Sequence, residues 1–176
     1  MRNLIYFLML LLSINLSINN LLAQKDDRGY IVKMGENAPN NFVLNLTNGR
    51  SIKLKDLRGR VVLLQFTASW CSVCRSEMPH LENEIWKAFK DKGLIFIGID
   101  RDEPMDTVKK FQSEMGISYP LALDPGGAIF GNFADLKAGV TRNVLINKEG
   151  KIVFLTRLYN KEEFTALKNA VANLLD

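Results

Sequence analysis

The chain has 176 residues, 47% of them hydrophobic and 24% charged, which suits one domain with enough apolar material to close a core. Its net charge of +4 is interleaved along the chain without a run of five like charges, which argues against nucleic acid as a partner, because phosphate binding needs clustered Lys and Arg. The only cysteines, Cys71 and Cys74, sit three apart, and a bridge between them closes a loop too short to staple a fold, so the pair reads as reactive.

Taken in chain order, Met1-Arg2-Asn3 is a short positive start and Leu4 to Leu12 an unbroken apolar run of nine. That length suits the apolar stretch of a secretory signal better than a membrane span. Residues 1–23 are therefore expected to be a signal peptide, cut after Ala23, with an uncleaved membrane anchor as the rival reading. The expected compartment is the periplasm or envelope of a bacterium. Residues 24–36 are polar and read as a linker. The domain is expected over residues 37–176, as a monomer.

Within it, Phe42 to Leu46 and Ile52 to Leu54 flank Asn48-Gly49 and predict a β-hairpin. The apolar run Val61 to Phe66 predicts a buried central strand. A helix is expected over 72–92, with Met78, Leu81, Ile85, Ala88 and Phe89 on one face and a kink at Pro79. Leu94 to Ile99 predicts a strand, Pro104 opens a helix carrying Val108, Phe111 and Met115, and Tyr119 to Leu123 a short strand. A short helix is expected over 128–133. A hairpin across Asn147 to Gly150 and a last helix from Lys161 to Leu175 complete the pattern. Strands alternating with helices give an α/β domain, a mixed sheet flanked by helices.

The chemistry concentrates in Trp70-Cys71-Ser72-Val73-Cys74-Arg75, where a buried strand ends and a helix begins. The thiolate is the nucleophile of disulfide exchange, and a helix N-terminus favours that anion through its free N–H groups and macrodipole. Cys71 is expected to attack, and Cys74, one turn on, to resolve the mixed disulfide. Ser72 and Val73 tune the pair without announcing its direction. A zinc site is disfavoured, since it needs four ligands and the chain offers two cysteines and His80. No metal or other cofactor is expected; the redox group is the Cys71–Cys74 disulfide itself. His80 reads as an ordinary helix histidine.

The run Trp70-Cys71-x-x-Cys74-Arg75, then Glu77-Met78-Pro79, with Leu57-x-Gly59, Gly98-Ile99-Asp100 and Leu145 to Lys151, resembles the TlpA/ResA-like thiol–disulfide oxidoreductases of the thioredoxin superfamily. The resemblance runs from about Asn37 to the C-terminus. It implies a thioredoxin-like fold with an added N-terminal β-hairpin, and it places Cys71 and Cys74 as attacking and resolving cysteines. It also implies a proton-handling role for Glu77, whose rival reading is an exposed helix glutamate, and a substrate-facing role for Trp70, whose rival is packing alone. The implied partners are exported protein disulfides or dithiols and a thiol electron donor or acceptor, with a lean toward reduction.

The chain departs from the pattern at three places. Gln65 stands where thioredoxin has a buried acid, and Thr67 where the branch has tryptophan. Thr141 stands where the family has a cis-proline facing the cysteines; a non-proline cis bond costs about 2.5–4 kcal/mol, so a trans bond is expected. Val140, Thr141 and Arg142 are then expected to line an altered substrate groove. Arg142 adds a positive charge toward the thiolate or an acidic substrate group, against the alternative of a solvated loop arginine. A peroxiredoxin-like thiol peroxidase, with antioxidant activity, is the second reading, weakened by Ala68 and Leu64 where its signature differs. A metal- or protein-binding thioredoxin-like module is the third.

Overall fold

A computed structural model describes residues 28–176. The expected signal peptide, 1–23, and the first residues of the expected linker lie outside that range. Seven strands form one mixed sheet: β1 (Val43–Leu46), β2 (Ser51–Lys53), β3 (Val62–Thr67), β4 (Ile95–Arg101), β5 (Leu121–Asp124), β6 (Arg142–Ile146) and β7 (Ile152–Arg157). Their order is β2-β1-β5-β4-β3-β6-β7, with β3, β4 and β5 parallel and the other pairings antiparallel. Every residue of β3 is buried, as its unbroken apolar run requires of a central strand covered on both faces.

One face carries all three main helices. Met78, Leu81, Ile85 and Phe89 from the first, Val108 and Phe111 from α2 (Met105–Glu114), and Phe164, Leu167 and Val171 from α3 (Lys161–Leu175) pack with Leu63, Phe96 and Leu145 of the sheet. Helix α1 (Ser72–His80) passes through Pro79, turns π-helical over Leu81–Trp86 and closes with Lys87–Phe89. Pro79 lacks the N–H that an unbroken α-helix would give to the carbonyl of Arg75. Ala88 is exposed, so the apolar face is narrower than expected.

The other face is covered without a long helix. The expected helix over 128–133 is a pair of 3-10 turns, Pro125–Gly127 and Phe130–Asn132. The buried carboxylate of Asp124 fixes this segment by accepting the N–H groups of Ile129 (2.7 Å) and Phe130 (2.8 Å). Phe130 and Phe133 pack edge-on and tilted against Phe66.

The expected linker differs from its sequence reading. From Arg28 onward it lies against the domain: Tyr30 bridges to Ala134, and Ile31 and Gly35 donate to the carbonyls of Phe133 and Ile152, while Asn37, where the expected domain begins, bridges to Lys151. Val32 and Ala38 join the core. Polar composition hid this docking, because main-chain groups make most of it.

Candidate active site

Strand β3 ends at Thr67, and the turn Ala68-Ser69-Trp70, buried at Ala68 and exposed by Trp70, carries the chain to α1. Cys71 caps that helix with an extended backbone, and its Sγ accepts the N–H of Cys74 at 3.2 Å. Cys71 and Cys74 are joined as a disulfide with their Cα atoms 5.3 Å apart. Cys71 keeps 8% of its surface exposed and Cys74 none, so only the first cysteine can be approached from solvent. Trp70 beside it is 65% exposed, so packing alone does not account for it. Ser72 is exposed at the first turn and Val73 packs partly against the core.

Thr141 reaches the pair from the loop before β6. Its hydroxyl lies 3.1 Å from the Cys71 sulfur and 3.2 Å from that of Cys74. No cis peptide bond occurs among the described residues, so Thr141 follows a trans bond, as expected from its side chain.

Its neighbours do not line a groove with their side chains. Val140 is buried in the core. Arg142 is the correction of largest consequence. It is fully buried and, opening β6, projects to the face opposite Asn143, since successive strand residues alternate. Its guanidinium donates to the carbonyls of Gly139 and Arg28 and lies over the rings of Tyr30 and Phe130. It is neither a solvated loop arginine nor a charge offered to substrate; burial lowers its pKa.

Glu77 is buried, which decides against an exposed helix glutamate. Its Oε1 accepts the Asn143 amide at 2.7 Å, while Oε2 has no partner. Burial pushes its pKa up to about 7; the Asn143 amide, and more weakly that of Gln65, which closes no hydrogen bond with it, pull it back.

Glu77 sits on a polar row that crosses the sheet beneath α1. Gln65 on β3 is level with Asn143 on β6, which is level with Thr156 on β7. Asn143 also donates to the Thr156 hydroxyl at 2.9 Å, and Tyr119 donates its hydroxyl to Gln65 at 2.8 Å. Gly98 on β4 lies between; a Cβ there would stand 2.3 Å from Leu121 and 3.4 Å from the Tyr119 ring.

A second polar group holds the approach to the cysteines. Glu103 accepts both the N–H (2.6 Å) and the hydroxyl (2.5 Å) of Ser69. Arg75 donates to the Ser69 carbonyl at 2.7 Å, pairs with Glu114 at 3.0 Å and lies over the Phe111 ring. Asp100, level with Thr67, is buried with neither carboxylate oxygen hydrogen-bonded. Burial and the neighbouring Glu103 carboxylate push its pKa up to about 8.

Asn143, Glu103 and Ser69 were not singled out from the sequence, and Asp100 was read only as part of the Gly98-Ile99-Asp100 motif, without a role at the site. Asn143 and Asp100 are polar interruptions in buried apolar strands, which is a readable signal; Glu103 and Ser69 carry none. His80 stacks on Tyr159 at 4.8 Å and pairs with Glu84, away from the sulfurs. Among the described residues no three His, Cys, Asp or Glu side chains gather as a metal ion would need.

The model of the AhpC/TSA family matches residues 34–155. Over 122 residues the chain is 38% identical to the thiol-disulfide oxidoreductase ResA of Bacillus thuringiensis, covering 69% of this chain and 68% of the relative. The chain belongs to the AhpC/TSA family and is a thiol–disulfide oxidoreductase of the ResA type. Solved structures agree. A candidate protein disulfide isomerase of Bacteroides thetaiotaomicron is 55% identical, with a TM-score of 0.81 over 84% of this chain and 92% of its own. A candidate thiol:disulfide interchange protein DsbE of Chlorobium tepidum is 28% identical, with a TM-score of 0.70 over 82% and 99%. The ResA-type oxidoreductase has the thioredoxin-like fold, and protein thiols and disulfides are its general substrates.

Proposed function

We propose that this oxidoreductase works outside the cytoplasm as a dithiol reductase of protein disulfides, with Cys71 attacking and Cys74 resolving. The observation that carries the proposal is Cys71 at the cap of α1, partly exposed and accepting the Cys74 N–H, with Cys74 wholly buried behind it. The Cys71 thiolate attacks one sulfur of a substrate disulfide, forming a mixed disulfide and releasing the other sulfur as a thiolate. The Cys74 thiolate then attacks the Cys71 sulfur, closing the internal disulfide and releasing the second substrate thiolate. Two electrons pass from the dithiol to the substrate. An external thiol donor must return them, and no other cofactor is required.

In this reading Glu77 takes the Cys74 proton, supported by its burial, its free Oε2 and its pKa near 7. The exposed Trp70 meets the substrate, together with the main chain at Val140 and Thr141. Export is supported by the positive start and apolar run at residues 1–12. Among the described residues no helix is long and apolar enough to cross a membrane.

The test is insulin-disulfide reduction by the wild type and two variants. Cys71→Ser is expected to abolish exchange, and Cys74→Ser to accumulate mixed disulfides visible by mass spectrometry; full activity in Cys71→Ser would falsify the assignment. Direction is read from the reduction potential in thiol–disulfide buffers. A value near or below about −220 mV places the pair with reductases, and one above about −150 mV with oxidants. The relative described as a disulfide isomerase is the observation favouring a less reducing pair.

A further inference from the structure

We infer that the Thr141 hydroxyl is a catalytic hydrogen-bond donor serving the two sulfurs in turn: the Cys71 thiolate of the free dithiol, then the Cys74 thiolate of the mixed disulfide. This rests on the assignment of Cys71 and Cys74 made above. Thr141 is 97% buried, and its Oγ1 lies 3.1 Å and 3.2 Å from the two sulfurs. No other hydrogen-bond partner of that hydroxyl occurs among the described residues. A buried hydroxyl without an acceptor loses the full cost of its desolvation, so its proton is directed at sulfur. A threonine has one O–H, so it can serve one sulfur at a time, and the near-equal distances let a rotation about the Cβ–Oγ1 bond change its target.

The scaffold holds the donor in place. The Thr141 carbonyl accepts the N–H of Leu158, and its neighbours Val140 and Arg142 are both anchored in the core. A fixed donor needs no reorganisation when charge arrives, which is where such a group is most effective. The two sulfurs differ in what else they have. Cys71 also receives the Cys74 N–H and the helix terminus. For Cys74 the Thr141 hydroxyl is the only donor among the described residues.

The charged groups nearby do not take this role. Arg75 is turned to Ser69 and Glu114, and Arg142 to the carbonyls of Gly139 and Arg28 and the rings of Tyr30 and Phe130. Glu103 is engaged with Ser69, Asp100 lies level with Thr67, and Glu77 is an acid. During resolution the Cys74–Cys71 bond forms, the Cys71–substrate bond breaks, and the substrate sulfur leaves with the electron pair. The hydroxyl keeps its proton throughout and changes only the sulfur it faces.

The test titrates each cysteine of the reduced full chain by iodoacetamide alkylation across pH, read site by site by peptide mass spectrometry. Thr141→Val removes the hydroxyl at constant shape. It is expected to raise the Cys71 pKa, so that alkylation on the acid side slows about tenfold, as loss of one hydrogen bond to a charged group implies. Thr141→Ser is expected to restore the wild-type titration. Thr141→Ala repeats the deletion with a smaller side chain, should the second methyl of valine disturb folding. Val or Ala variants that titrate like the wild type would overturn the role of the hydroxyl, even if they exchange disulfides more slowly. A wild-type chain inert toward disulfides would instead overturn the assignment of the cysteine pair, whatever the titration.

Discussion

At the scale of single residues, the site works by placing polar groups where water cannot reach them. Glu77 is the case with the plainest consequence. Its folded pKa of about 7 lies above the ordinary 4.5, so it is neutral on the acid side and becomes a base as the pH rises through 7. Exchange by the wild type is therefore expected to rise across neutral pH. Glu77→Gln keeps the amide contact to Asn143 but cannot titrate. It is expected to lose that rise and to run on the order of a hundredfold slower above pH 8, measured by single-turnover kinetics across pH. An unchanged profile in the Gln variant would remove Glu77 from proton transfer. Arg142 marks the opposite lesson. Adjacent to Thr141 in sequence, it turns away from solvent and ties the residues around Tyr30 to the core.

At the scale of elements, the row from Gln65 through Asn143 to Thr156 exists because strands bring level residues side by side on one face, and Tyr119, just ahead of β5, joins it at Gln65. Gln65, Asn143 and Thr156 are buried polar residues within strands, and each finds most of its partners only across the sheet. Gly98 is the gap that lets the Tyr119 ring reach Gln65. Gly98→Ala would place a methyl 2.3 Å from Leu121 and is expected to destabilise by about 1–3 kcal/mol, read as a lower urea midpoint. A neutral outcome would mean that β5 yields easily. Helix α1 shows a milder conflict. Its apolar periodicity carries through Pro79, and the chain accommodates the missing donor within a helix that turns π-helical two residues later.

At the scale of the whole molecule, Asp100 links the site to stability. Its pKa is raised from 3.8 to about 8, so the folded state holds its proton more tightly than the unfolded chain does. The sign follows from linkage: the contribution is fully present below the unfolded value and is lost as the pH rises through about 8. Asp100→Asn keeps the shape and cannot ionise. Its melting temperature is expected to exceed that of the wild type by about 3 °C or more in alkaline buffer and to match it below about pH 4. A constant difference at all pH values would count against the buried acid. The lead-in from Arg28 belongs to the same scale, since its bridges reach Ala134 and Lys151, more than a hundred residues away along the chain.

By itself the sequence determined most of the strands and main helices and the reactive cysteine pair. Apolar runs of period two or 3.6, Asn-Gly at the hairpin and a cysteine pair opening a helix are local signals, and local sterics and solvation decide them. A mixed sheet flanked by helices followed from their alternation, the reactive reading of Cys71 and Cys74 from residue chemistry, and the thioredoxin-like fold and the place of Thr141 opposite the cysteines from the family resemblance. Tertiary structure decided everything that depends on which face a side chain takes and what meets it there. It buried Glu77 beside Asn143, turned Arg142 and Val140 into the core, docked the polar lead-in, and set one threonine hydroxyl against both sulfurs. The reason is physical: desolvation and hydrogen-bond partnership are properties of neighbours in space, and the bonds from Glu77 to Asn143, Thr141 to the sulfurs and Arg142 to Arg28 span 66 to 114 positions of the chain.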